Sequence, residues 1–88
     1  MDDVAYLLVA INDAGKIVHR RYSFDFSETT RQLADAFEDT TKYPNHTFKV
    51  FEVEVPDPDT NDLDAFFEQN IEEINSEYDV LYERANTQ

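Results

Sequence analysis

Asp64, Glu68 and Glu72 recur at intervals of four, and Asp79 and Glu83 repeat that interval further along the chain. Carboxylates four apart stack on one side of an α-helix. A row of them without counter-ions is suited to attracting a strongly basic protein surface. Asp57 and Asp59 precede the row and could lengthen it, as could Glu52 and Glu54. Tyr82 falls beside the row, and an exposed aromatic among carboxylates is a common interface anchor. Asp57, Asp59, Asp64, Glu68, Glu72, Asp79, Tyr82 and Glu83 therefore form the candidate partner-binding set.

Such a row carries a cost. Like charges four apart destabilise a helix by ~0.2–0.5 kcal/mol per pair, so the pairs 64/68, 68/72, 73/77 and 79/83 together cost about 1–2 kcal/mol. Glu–Lys pairs would supply the same solubility and stabilise the helix. Acidic helix faces are commonly just solvated, but the distribution of charge argues for more. Residues 50–88 hold twelve acids against Arg84, net −11, whereas residues 1–49 hold eight acids against six Lys and Arg, net −2. A general halophilic adaptation would spread acid over the whole surface. The asymmetry points to one face meant for a basic partner, and basic surfaces mostly exist to hold nucleic acid. One carboxylate per ~6 Å of helix is sparser than one phosphate per ~3.4 Å of strand. The mimicry would be electrostatic, not a geometric copy.

Other constellations are weaker. Asp57, Asp59, Asn61 and Glu68 match positions 1, 3, 5 and 12 of a calcium loop. Asp62, however, stands where that loop turns on Gly, Asp64 replaces its apolar position, and a strand precedes it. A turn followed by a helix N-terminus explains the same residues, with Asp62 and Asp64 at the positive end of the dipole. His19 and His46 are too far apart in sequence to suggest a metal site. Ser23, His19 and Asp25 alternate on one strand and cannot form a proton relay with a pocket around it. No phosphate loop or nucleophile elbow is present. The expectation is a protein that is not an enzyme and uses no metal or cofactor.

The elements that position these residues follow from periodicity. Residues 4–11 are apolar on both alternating faces, as in a central strand covered on two sides. Asn12, Asp13, Ala14 and the single Gly15 make a hairpin loop. Residues 17–26 alternate as a second, antiparallel strand, with Val18, Arg20, Tyr22, Phe24 and Phe26 on one face and Ile17, His19, Arg21, Ser23 and Asp25 on the other. Arg20 and Arg21 thus point apart and are expected to pair with Asp25, Glu52 or Glu54 across strands. Ser27 or Thr29 can cap a short helix carrying Leu33, Ala36 and Phe37 and ending near Lys42. Residues 47–55 form a third strand with Glu52 and Glu54 on its polar face. A second helix is expected over about 62–83, with Leu63, Phe66, Phe67, Ile71, Ile74, Tyr78 and Leu81 facing the core. Asn75 would fill the gap in its acidic row.

The predicted fold is thus α+β, a single small domain over 1–88 in ββαβα order. Its three-stranded, mostly antiparallel sheet would carry two helices packed on one face. Seven Phe and five Tyr argue for a folded chain despite the charge. With no cysteine, no positive n-region and an apolar run too short to span a bilayer, the expected location is cytoplasmic. Direct binding to nucleic acid or to an anionic membrane is disfavoured by charge. The expected role is an acidic protein-binding inhibitor that sequesters a basic, nucleic-acid-binding protein. Phage counter-defence factors and nuclease immunity proteins are analogous in size and charge. The alternative is a small structural or regulatory subunit that associates through an apolar sheet face, as in a homodimer, with acidity serving only solubility.

Overall fold

The computed structural model describes residues 3–38 and 45–85. Strand β1 (Asp3–Ile11) is joined to β2 (Ile17–Ser23) by a tight loop, followed by α1 (Phe26–Glu38), β3 (Thr47–Val55), α2 (Leu63–Glu77) and β4 (Tyr82–Ala85). The four strands lie in the order β2-β1-β3-β4, antiparallel throughout. The architecture is a small α+β domain, and the expected three-stranded sheet gains a fourth strand from the tail.

β1 is central, as its two-sided apolarity requires, and both of its faces are buried. Leu7 and Val9 pack with Phe51, Val53, Leu63, Phe67 and Ile74 on the α2 side. Leu8 and Ala10 pack with Phe48, Val50 and Leu33 on the α1 side. The helices therefore occupy opposite faces, which corrects the expectation of two helices on one face. The physical reason lies in β1 itself: a strand with Leu and Val on one side and Leu and Ala on the other leaves a face wet unless each side is covered.

The hairpin loop is held by Asn12, whose Oδ1 accepts from the N–H groups of Ala14 and Lys16 at 3.0 and 2.9 Å. Gly15 takes φ +82 there, a conformation costly for residues with a Cβ. The register passes from Ala10↔His19 to Ile11↔Ile17, so Val18 is an extra residue in β2. That bulge moves Ile17 onto the α2 side with Tyr22 and undoes the simple alternation expected over 17–26. β2 also ends early, at Ser23, because Asp25 starts α1. The Asp25 carboxylate accepts from the Ser27 N–H at 2.9 Å, and its carbonyl takes the N–H and hydroxyl of Thr29. The cap is Asp25, not Ser27 or Thr29. Phe26 then opens the helix with its ring edge-on to Tyr6 at 5.3 Å. The expected helix end near Lys42 lies outside the described residues.

At the other helix Asp62 is the cap, accepting from the Asp64 and Ala65 N–H groups at 3.1 and 3.4 Å. Removing that acceptor by Asp62→Ala is expected to cost about 1 kcal/mol. Thermal denaturation should then show the melting temperature about 4–8 °C lower. An unchanged midpoint would mean that the first turn holds without its cap.

Candidate protein-binding surface

Helix α2 supplies the first part of the surface. Its inward stripe is Leu63, Phe67 and Ile74, all buried, with Phe66 and Ile71 half-buried beside them. One flank of the helix carries Asp64, Glu68 and Glu72, all exposed, with Asp64 and Glu72 bordering His19 and Arg20 of β2. These three carboxylates lie in one row about 12 Å long. No Lys or Arg forms an ion pair with any of them among the described residues; the pair that does form, Arg31–Glu28 at 2.9 Å, is on α1. Arg20 of β2 lies beside the start of the row, its Nη2 donating to the Asp64 carbonyl at 3.5 Å and its side chain sharing a cleft with Asp64 and Glu72.

The row stops there. Asn75, expected to continue it, is half-buried, with an Oδ1 that is out of solvent and unpartnered. The helix ends at Glu77, where Tyr78 turns to extended backbone with φ −81 and ψ 146. Asp79, Tyr82 and Glu83 are consequently not on α2, and the continuous helix expected over 62–83 is corrected to Leu63–Glu77. Two causes converge. The last turn has no basic residue, and its carboxylates face the negative end of the helix dipole. Beyond it, an open sheet edge offers the chain backbone hydrogen bonds: the Leu81 N–H donates to the Val50 carbonyl at 2.8 Å, and β4 pairs with β3 from there.

This rerouting scatters the rest of the candidate set. Glu83 stands opposite Lys49 in the β3–β4 register, beside a positive charge instead of extending an acidic row. Tyr82 stands opposite Val50 and is 44% exposed, on the α1 side of the sheet and away from the α2 row. Arg84, next along, caps the Phe37 ring at 3.8 Å and ties the strand to α1. Asp79 lies instead near Glu52 and Glu54. Asp57 and Asp59 are exposed in the turn before α2. The Asp57 carboxylate accepts from the Asp59 N–H at 3.0 Å, and its carbonyl takes the Thr60 N–H and the Asn61 amide. With Asp57 turned to the backbone and Asp62 capping α2, the calcium-loop residues do not converge. Among the described residues no group of three or more His, Asp or Glu side chains is placed to hold a metal ion.

Arg20 and Arg21 stand opposite Val9 and Leu8 on β2, with β1 between them and β3. Contrary to expectation they cannot reach Glu52 and Glu54 across a strand pair, and neither forms an ion pair with Asp25 among the described residues. The residues opposite Glu52 and Glu54 are Tyr6 and Val4. The acid thus forms two separate patches: the α2 row, and a second group of Glu52, Glu54 and Asp79 beside the tail.

Sequence reasoning passed over the residues around that second group. The helical period places Tyr78 and Leu81 on a core stripe, yet both lie beyond the end of α2 and are exposed.

Compared with known proteins, the chain matches no family model, no curated relative and no solved structure. No helix among the described residues is long and apolar enough to cross a membrane. The functional reading rests on the surface alone.

Proposed function

We propose that this chain is a non-enzymatic binding module that inhibits or sequesters a basic, nucleic-acid-binding protein in the cytoplasm by offering carboxylates where that protein expects phosphates. The observation that carries the reading is the exposed row of Asp64, Glu68 and Glu72, with no ion-paired Lys or Arg among the described residues. It belongs to a chain segment whose net charge is −11. Three carboxylates over about 12 Å match a phosphate track in sign and in general extent, not in spacing. Recognition of this kind raises the association rate and fixes orientation. In size and charge the chain is analogous to phage counter-defence factors and nuclease immunity proteins.

The competing reading, a subunit that associates through an apolar sheet face, would have to use the exposed Val4, Tyr78, Val80, Leu81 and Tyr82, because the core residues of both sheet faces are buried under α1 and α2.

A displacement assay tests the proposal. A labelled DNA duplex is loaded onto each of a panel of purified basic DNA-binding proteins, and this chain is titrated in. Displacement is expected at about 0.1 M salt and lost by about 1 M, as the Debye length falls from about 10 to about 3 Å. Failure to displace at low salt, or displacement indifferent to salt, would overturn the reading.

A further inference from the structure

α1 covers only part of its side of the sheet: Leu8, Ala10, Phe48 and Val50 are sealed beneath it. Further along β1 and β3, Val4, Glu52 and Glu54 are exposed on that same side. The chain leaving α2 passes beside them before it enters β4. Between the two runs lies a cleft with apolar walls formed by Val4, Tyr78, Val80 and Leu81. Its acidic residues are Glu52, Glu54 and Asp79. Glu52 and Glu54 are two residues apart on one strand face, about 7 Å, and the residues opposite them, Tyr6 and Val4, carry no positive charge. None of the three carboxylates forms an ion pair with Lys or Arg among the described residues. Val80 and Leu81 are 39% and 46% exposed although both carry apolar side chains.

This composition is selective. An acidic partner segment is repelled, and a purely apolar one would strip water from three carboxylates without compensation. A lysine suits the charge, but its ammonium is a compact, strongly hydrated point charge that does not lie flat on the Tyr78 ring or meet a carboxylate in bidentate fashion. An arginine suits both. Its stem covers apolar surface, and its planar guanidinium is weakly hydrated, stacks on rings and meets carboxylates in bidentate fashion.

The geometry points to this cleft as a docking site for an extended, arginine-bearing segment of a partner protein, with the guanidinium among Glu52, Glu54 and Asp79 and the stem against Tyr78, Val80 and Leu81. The inference rests on the proposed function in one respect, that the partner is basic. It differs in placing the specific contact away from the α2 row.

The test uses the full chain, isotope-labelled, and two short synthetic peptides. One carries two arginines flanked by valine and leucine, and the other has glutamine in place of each arginine. With the arginine peptide, amide shifts are expected at Val4, Glu52, Glu54 and residues 79–81. The glutamine peptide should leave them unmoved. The variant Glu52→Lys/Glu54→Lys should weaken the arginine peptide at least about tenfold, and Val80→Ser, which keeps every charge, should weaken it measurably. Equal shifts with both peptides, or none with either, would overturn the inference. Shifts confined to Asp64, Glu68 and Glu72 would also overturn it, while leaving the proposed function standing.

Discussion

Glu68→Lys is expected to make the domain more stable and a worse binder. In α2, Glu68 stands four residues from Asp64 and four from Glu72, on the exposed side. Each like-charged pair costs ~0.2–0.5 kcal/mol, and each opposite pair returns a similar amount. The substitution turns two repulsions into two attractions, a gain of about 1 kcal/mol and a rise in melting temperature of about 4–8 °C. Against a basic partner the same change removes the middle carboxylate of the row and sets a like charge facing the partner. A like-charge contact across an interface costs several kcal/mol, so Kd should rise roughly 100-fold or more. Melting curves and binding isotherms on one variant therefore separate two explanations. If acid were present for solubility alone, the more stable variant would lose nothing. A chain that keeps its displacement activity with Lys at this position would remove α2 from the interface.

Phe67→Ala is expected to be the most damaging single substitution on α2. The ring is 1% exposed. It packs at 5.1 Å from the Tyr22 ring and 5.4 Å from Phe66, within the cluster that holds Leu7, Val9 and Phe51. Truncating a fully buried Phe costs about 3–5 kcal/mol, a large share of the ~5–15 kcal/mol that holds a domain together. Urea or thermal denaturation should show either a chain unfolded at room temperature or a melting point lowered by about 15 °C or more. Phe66→Ala, one residue back and half-buried, should cost well under half as much. Equal losses from the two would mean that α2 is rotated about its axis from the placement described above.

The contrast between these neighbours shows what was legible in the sequence. Residues that obey one strong period were read correctly: the two-sided β1, the Asn12–Gly15 hairpin loop, and the inward stripe of Leu63, Phe67, Ile71 and Ile74 flanked by Asp64, Glu68 and Glu72. The helix arrangement was derivable from β1 as well, since a strand apolar on both faces needs cover on both. Three features were hidden because they depend on tertiary partners. The Val18 bulge shifts the phase of β2 through its pairing with β1. Asp25 takes the capping position over Ser27 and Thr29 where Phe26 packs on Tyr6 of β1 and opens the helix, which stops β2 at Ser23. The stop of α2 carries no Gly or Pro; it reflects an acidic helix end competing with a sheet edge that only the folded molecule possesses. The candidate set divided accordingly. Its members on Leu63–Glu77 stay in line, and Asp79, Tyr82 and Glu83 leave with the tail.

β4 pairs with β3 only from Thr47 to Val50, so Phe51 to Val55 pair with no further strand on that edge among the described residues, and only the non-strand chain of Tyr78 to Leu81 runs near it. A naked strand edge is the usual starting point for runaway self-assembly into fibrils, and Val-rich sequence raises that hazard. Here every second residue of the bare stretch is a glutamate. Two molecules meeting at that edge would bring Glu52 and Glu54 of each against the same pair on the other, so the sheet resists growth by polymerisation.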